Sequence, residues 1–195
     1  MKKIAITGGI GSGKSTICNI IELNYPVYNS DFRAAALANT SSSLRKEIEH
    51  VFGPNSYWNG IYNKEYIGSI IFKDKEKLEL LNKIFSEYVN EDFYKFCELN
   101  KKLGESVVFY ESALVYEHNK ENEFDEVICV YANEDVIYER LRKRNNYTDE
   151  QIKNRIKSQL PNSLKLAKSS CVLDTTNGIN KEFIESYIKI FTEII

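Results

Sequence analysis

A glycine-rich segment near the beginning of the chain has the residue types and spacing that bind phosphate. It matches the pattern G-x-x-x-x-G-K-[ST] and stands between an apolar run typical of a strand and an apolar pattern typical of a helix. Glycines let backbone N–H groups approach phosphate oxygens closely, and the helix N-terminus adds partial positive charge there. The predicted phosphate-binding residues are Gly8, Gly9, Gly11, Ser12, Gly13, Lys14, Ser15 and Thr16.

Three side chains of this segment have separate predicted roles. We expect the positive charge of Lys14 to reach the β- and γ-phosphates of a nucleoside triphosphate, which makes Lys14 a candidate catalytic residue. The hydroxyl of Ser15 is the expected metal ligand, for Mg²⁺, and Thr16 is expected to contact the region of the α-phosphate. The pattern therefore predicts a site for a nucleoside triphosphate with Mg²⁺.

Two acidic residues stand at the carboxyl ends of predicted strands, at the sheet edge where ligands of such folds gather. Asp31 could orient or deprotonate an acceptor hydroxyl, and it could instead cap the helix predicted to begin at Phe32. Glu111 stands where an acid lies near Mg²⁺ in phosphate-binding folds, and it could instead be an ordinary strand-end acid. Both alternatives remain open from the sequence.

Basic residues are concentrated in one segment of an acidic chain. Residues 139–168 contain nine Lys or Arg against three acidic residues, although the net charge of the chain is −2. Arg140 and Arg144 are four positions apart on one predicted helix, so they share a face that could neutralise a transferring phosphoryl group. Arg155 is a weaker candidate of the same kind, and a solvated helix face is the alternative interpretation of the whole segment.

The elements that must position these residues follow an alternating pattern. Five short apolar runs with helical patterns between them predict an α/β fold, a doubly wound five-stranded parallel sheet of the P-loop type. Its predicted helices include one that a Thr148–Gln151 capping box opens and Pro161 ends. The predicted strands are Lys3–Thr7, Val27–Ser30, Ser106–Glu111, Glu126–Tyr131 and Ser170–Asp174.

The interval between the second and third predicted strands has a helical pattern and no convincing strand. A helix is predicted from Ser43 to Gly53-Pro54, a turn region over Asn55–Asn63, and a long amphipathic helix over Lys75–Lys102. We therefore expect one domain with a core at 1–31 and 105–195. A helical insertion at about 32–104 would hold the substrate, and a lid is expected at about 140–160.

The composition excludes several classes of protein. Hydrophobic residues make up 43% and charged residues 28% of the 195 residues, as in globular rather than disordered or collagen-like chains. The net charge of −2 argues against general nucleic-acid binding, and no apolar stretch approaches the ~20 residues of a membrane span. With no signal-peptide pattern and four scattered cysteines, we expect a cytoplasmic protein.

The glycine-rich segment also matches one family more closely than the general pattern requires. Thr7–Thr16 resembles the phosphate-binding loop of dephospho-coenzyme A kinases. Further segments of this chain are similar to family motifs, in the same order. Pro26–Asp31 is similar to the family's P-V-x-D-A-D segment, Phe52-Gly53 to its F-G turn, and Glu111–Glu117 to its P-L-L-F-E region. Nearer the end of the chain, Arg140–Arg144 with Gln159 is similar to the family's R-L-x-x-R…Q segment, and Asp174–Gly178 to a D-N-x-G-like stretch.

This resemblance implies an enzyme that uses ATP and Mg²⁺ to phosphorylate the ribose 3′-hydroxyl of dephospho-coenzyme A, the last step of coenzyme A synthesis. It implies that Asp31 is the acceptor-side carboxylate and that Arg140 is the phosphate-binding arginine of the lid, with Arg144 beside it on the nucleotide. The insertion would be the acceptor-binding part. The implied partners are these small molecules, with no nucleic acid and no membrane, and a monomer is expected.

The chain departs from the family pattern at three places. Asn29 replaces the first Asp of D-A-D, so only Asp31 can supply a charge at that edge. Ser86-Glu87 replaces an H-P pair of the acceptor part, and the proline before the L-L-F-E stretch is missing.

Another small-molecule or nucleotide kinase with the same loop is one alternative function. A nucleotide-binding regulatory switch is another, but the chain has no guanine-reading N-K-x-D segment.

Overall fold

Strands and helices alternate through most of the chain, and the computed structural model describes residues 1–145 and 147–192. The expected lid at 140–160 thus includes Asn146, which lies outside the described residues. In chain order the elements are β1 (Lys2–Gly8), α1 (Lys14–Ile21), β2 (Val27–Asn29), α2 (Ser30–Thr40), α3 (Ser42–Phe52), β3 (Tyr57–Trp58), β4 (Ile61–Tyr62), α4 (Lys64–Ile71), α5 (Lys75–Lys102), β5 (Val107–Glu111), β6 (Glu126–Tyr131), α6 (Glu134–Asn145), α7 (Asp149–Lys157), α8 (Asn162–Lys168), β7 (Cys171–Asp174) and α9 (Lys181–Thr192).

Five parallel strands form the central sheet in the order β2-β5-β1-β6-β7. This confirms the predicted doubly wound parallel sheet, with strand ends that differ from the predicted ones by a residue. Glu111 is paired in register with Ile6 of β1 and with Asn29 of β2. Because parallel strands end at the same edge, the register brings the last residues of β1, β2 and β5 to one edge of the sheet.

The chain divides into two compact units, one of residues 1–29 with 99–195 and the other of residues 30–98. The first contains the sheet, which α1 and α9 cover with apolar side chains. Continuous burial of β1 and β5 is what a parallel strand between helix layers requires. Fully buried members of this core include Ile4, Ile6, Ile17, Phe109 and Ile128.

The second unit has a hydrophobic core of its own, in which residues of α3, α4 and α5 pack together around Leu44, Ile48 and Ile67. The predicted helix α5 is confirmed over Lys75–Lys102. The helix predicted from Ser43 to Gly53-Pro54 is also confirmed, with Ser41 as its N-cap and Gly53 as its C-cap. The helix α4 was not predicted.

The prediction that residues 55–63 form only a turn region is wrong, because β3 and β4 pair there as an antiparallel hairpin. Its loop is Asn59-Gly60, and both residues have positive φ, 47° and 81°. That combination is typical of the two-residue type I′ turn, whose twist matches that of the flanking strands.

Two helices after β6, α6 and α7, begin with the expected caps, and α7 is shorter than expected. The side chain of Asn133 accepts a hydrogen bond from the amide of Val136, and Thr148 forms a capping box with Gln151. The helix α7 then ends at Lys157, and Pro161 begins the next helix instead of ending this one. In the described ranges 1–145 and 147–192, no helix is long and apolar enough to cross a membrane.

Candidate active site

The glycine-rich loop joins β1 to α1, and its geometry depends on glycine. A Cβ atom at Gly8 would lie 2.3 Å from the carbonyl oxygen of Val130, so no other residue fits there. Gly13 adopts the left-handed conformation with φ 92° and caps α1, with no side chain bonded to the helix N-terminus. The amides of the first turn of α1 are therefore available to an anion, as a phosphate site requires.

The carboxylate of Glu111 lies at the centre of the polar side chains beside this loop. Its Oε1 accepts hydrogen bonds from Ser15 Oγ at 2.9 Å and from Lys14 Nζ at 3.2 Å. Its Oε2 accepts a hydrogen bond from Asn29 Nδ2 at 2.6 Å. Glu111 is 5% exposed, so this charge is held in place mainly by those three donors.

The Asn29 side chain explains how the chain accommodates a departure from the family pattern. An amide donates to Glu111, whereas a second carboxylate at 2.6 Å would repel it. The sequence singled out Asn29 only as a missing charge. Its function as a donor became visible through the register of β2 on β5, which places Asn29 opposite Glu111.

The donor set beside the loop fits Mg²⁺. Ser15 is exposed and its hydroxyl lies 2.9 Å from the Glu111 carboxylate, so two hard oxygen groups meet where a triphosphate would bind. Among residues 1–145 and 147–192, no group of three or more His, Cys, Asp or Glu could hold a metal ion. An ion here would take its other ligands from phosphates and water, as Mg²⁺ usually does.

Arg140 lies against the back of the loop and is held by three hydrogen bonds. Its Nη1 donates to Thr175 Oγ1 at 2.8 Å and to the carbonyl of Gly11 at 3.3 Å, and its Nη2 donates to the carbonyl of Thr175 at 2.6 Å. These bonds use three of the five N–H groups of a guanidinium. The structure thus places Arg140 next to the phosphate-binding loop, with one hydrogen bond to the loop carbonyl of Gly11.

The other two arginine candidates are exposed. Arg144 lies one turn after Arg140, in the last turn of α6. Arg155 stacks on the ring of Tyr147, with 4.5 Å between Cζ and the ring centroid. Thr16 is also exposed, whereas Ser12 is buried.

Three further residues contact the loop or hold the end of the expected lid segment. Gln159 Oε1 accepts a hydrogen bond from the amide of Ile10 at 2.9 Å. The fully buried Lys165 forms an ion pair with Glu117 at 2.7 Å, and Glu117 Oε1 also accepts from the amide of Leu160 at 2.9 Å. Sequence reasoning gave Gln159 and Glu117 only as family similarities, and it missed Lys165, which looked like one more basic residue of the solvated segment.

Asp31 lies in the other compact unit. It is the second residue of α2, it is exposed, and it stands in the first turn, where acids favour the helix dipole. Lys14, Ser15, Glu111 and Arg140 all belong to the unit that contains the sheet. The structure thus brings those four residues to the glycine-rich loop and describes Asp31 within the inserted unit.

Three of the four cysteines are held as neutral thiols by burial. Burial, with the nearby charge of Glu111 as a second cause, raises the pKa of the Cys18 thiol well above its ordinary value. Burial also raises the pKa of Cys129 and of Cys171. These thiols are therefore protonated near neutral pH, and the reactive groups of the site are its oxygen and nitrogen donors.

Comparison with known proteins identifies the family. The family model for dephospho-CoA kinase matches residues 2–181. A dephospho-CoA kinase of Listeria monocytogenes (serotype 4b, strain F2365) is 32% identical over 196 residues, which covers 96% of this chain and 98% of the relative.

Solved structures support the same fold. A Thermus thermophilus protein matches with a TM-score of 0.82 at 26% identity, covering 100% of this chain and 98% of that one. The dephospho-CoA kinase of Campylobacter jejuni matches with a TM-score of 0.68 at 23% identity, with the same coverage. Since the family model spans nearly the whole chain and the relatives match over almost their full lengths, this chain belongs to the dephospho-CoA kinase family.

Proposed function

We propose that this chain transfers the γ-phosphoryl group of ATP to the ribose 3′-hydroxyl of dephospho-coenzyme A, giving coenzyme A and ADP. The observation that carries the proposal is the arrangement of Lys14, Ser15 and Glu111 at a glycine-rich loop in a member of this family. Phosphoryl transfer needs groups that position a triphosphate and neutralise its developing charge, and this arrangement supplies both.

The donor side of the reaction is assigned to the loop. Backbone N–H groups of the loop and of the first turn of α1 bind the phosphate oxygens, and Lys14 places its charge on the β- and γ-phosphates. Ser15 and Glu111 would hold Mg²⁺, which supplies further neutralisation of phosphate charge when bound. Arg140 and Arg144 are assigned to the same nucleotide.

The acceptor side is assigned to the inserted unit, with Asp31 as its catalytic carboxylate. A bond forms between the 3′-oxygen of the ribose and the γ-phosphorus while the bond from that phosphorus to the β–γ bridging oxygen breaks, releasing ADP. The proton of the hydroxyl passes to Asp31, or is held by it while the oxygen attacks. We further propose that the protein acts as a cytoplasmic monomer on these two small molecules.

A coupled assay of ADP release with Mg-ATP tests this function. Dephospho-coenzyme A is compared with AMP, adenosine and shikimate as acceptors, and we expect turnover with dephospho-coenzyme A alone. Asp31→Asn should lower kcat by about 100-fold or more, the usual contribution of a positioned general base. Glu65→Gln is the matched control, because Glu65 is also an exposed acid in the first turn of a helix of the same unit.

The outcomes separate the parts of the proposal. Turnover with a different acceptor would show that this chain is a P-loop kinase with another acceptor specificity. No turnover above background hydrolysis would contradict the kinase assignment. Full activity of Asp31→Asn would remove Asp31 from the mechanism and leave the substrate assignment in place.

A further inference from the structure

A threonine of the Asp174–Gly178 stretch makes three side-chain hydrogen-bond contacts next to the glycine-rich loop. Thr175 follows β7 directly and is 1% exposed. Its Oγ1 lies 2.8 Å from Arg140 Nη1, 2.7 Å from the carbonyl oxygen of Ser12 and 3.1 Å from the carbonyl oxygen of Tyr131. One hydroxyl thus joins the loop, the end of β6 and an arginine of α6.

The direction of these hydrogen bonds follows from the donors present. The guanidinium of Arg140 can only donate, so the hydroxyl of Thr175 accepts from it. The single hydroxyl hydrogen is then directed to a carbonyl, and the Ser12 carbonyl is the nearer one. The amide of Thr175 donates to Tyr131 at 2.8 Å, which fixes the backbone that carries the hydroxyl.

Holding the Ser12 carbonyl also orients the next amide of the loop. In a trans peptide the C=O of one residue and the N–H of the next point in opposite directions. The Ser12 carbonyl points to Thr175, so the N–H of Gly13 points away from it. A Cβ atom at Gly13 would lie 3.3 Å from Thr175 Oγ1, so the lack of a side chain there lets the threonine hydroxyl approach the loop closely.

We propose that Thr175 is a positioning residue for nucleotide binding, which keeps the Gly13 amide and Arg140 in the arrangement that accepts the triphosphate. Thr175 acts through the loop and through Arg140 and touches no substrate. This inference rests on the proposed function only in that the loop binds ATP. The acceptor does not enter the argument.

The test compares three variants with the full-length wild-type protein. Thr175→Val removes the hydroxyl and keeps the shape, and Thr175→Ser keeps the hydroxyl. Thr176→Val is the matched control, because the neighbouring hydroxyl bonds the amide of Asn133 and not the loop. Affinity for a non-hydrolysable ATP analogue is measured by calorimetry, together with KM for ATP, KM for dephospho-coenzyme A, kcat and the thermal midpoint.

We expect Thr175→Val to weaken analogue binding and to raise KM for ATP by about tenfold, the effect of losing one hydrogen bond with a charged partner. The KM for dephospho-coenzyme A should stay within about twofold of wild type, since a uniform effect on both substrates is not expected from a donor-side change. Thr175→Ser and Thr176→Val should both bind the analogue like wild type. If Thr175→Val does not fold, Thr175→Ala is used in its place, because it removes the same hydroxyl.

Unchanged analogue affinity in Thr175→Val would overturn the proposal. Equal losses for both substrates, in step with a lower thermal midpoint, would also overturn it and leave Thr175 with a structural role. If the wild-type protein binds the analogue but does not phosphorylate dephospho-coenzyme A, the proposed function fails. The analogue affinities of the variants still show whether Thr175 supports nucleotide binding.

Discussion

At the scale of single residues, the candidate site depends on one carboxylate that several donors share. Glu111 accepts from Lys14 and Ser15 through one oxygen and from Asn29 through the other. A buried charge is stable only when such partners surround it. Asn29 thus supports the site although it carries no charge.

Glu111→Gln should therefore impair the donor side of the reaction. The amide has no charge to balance Lys14 or to help hold Mg²⁺, so we expect kcat to fall on the order of 100-fold and half-maximal activity to need more Mg²⁺. Steady-state kinetics across a Mg²⁺ titration measures both effects. Glu105→Gln, an exposed acid just before β5, is the control. A normal Mg²⁺ dependence in Glu111→Gln would separate Glu111 from the metal.

At the scale of elements, the strand ends and the turns place the functional groups. The registers of β1, β2 and β5 bring Asn29 and Glu111 side by side. In the inserted unit, the hairpin of β3 and β4 depends on a two-residue turn with positive φ at both positions. The hydroxyl of Tyr57 on β3 donates to the carbonyl of Ala38 at 2.8 Å, so the hairpin is also tied to α2.

Two glycine-to-alanine substitutions in this unit should change stability in opposite directions. Gly60 has φ 81°, so Gly60→Ala should lower the free energy of unfolding by about 1–2 kcal/mol through left-handed strain. Gly68 lies inside α4, where a Cβ would make an ordinary contact with Phe72, so Gly68→Ala should raise that free energy by up to about 1 kcal/mol. Urea unfolding of both variants measures the difference. A stabilising Gly60→Ala would contradict the turn type.

At the scale of the whole molecule, each of the two units has its own hydrophobic core, and tyrosines that are buried or partly buried pack against both cores. Burial raises the pKa of Tyr57 and Tyr62 in the inserted unit to about 12, and that of Tyr187 in the sheet-containing unit to about 12. The ordinary tyrosine pKa is about 10. The folded protein therefore keeps these phenols neutral at a pH where the unfolded chain ionises them.

Stability should therefore decrease in strongly alkaline solution. These pKa values are higher in the folded state, so the contribution is fully present below about pH 10 and is lost as the pH rises toward about pH 12. Urea midpoints measured across this range should fall steeply, and Tyr57→Phe should reduce the decline. The exposed Tyr94 provides the control substitution, Tyr94→Phe, which should leave the decline unchanged. Identical alkaline profiles for wild type and Tyr57→Phe would contradict the prediction.

The sequence alone was sufficient for features that depend on neighbouring residues. The glycine-rich loop, the five strands of the central sheet and the helix at Lys75–Lys102 follow from local spacing and apolar runs, because turn geometry and periodicity are local properties. The hairpin was missed although Asn59-Gly60 is a strong turn signal, since its strands are only two residues long. Local patterns therefore predicted the fold class and the phosphate-binding loop.

Only the tertiary structure decided which distant side chains support that loop. Lys14 and Glu111 are 97 positions apart, and Ser12 and Thr175 are 163 apart. No local pattern specifies such pairs, because they form when strands from separate parts of the chain align at one edge of the sheet. The tertiary structure decided three such features: the hydrogen bond from Asn29 to Glu111, the hydrogen bond from Arg140 to Thr175, and the burial of Lys165.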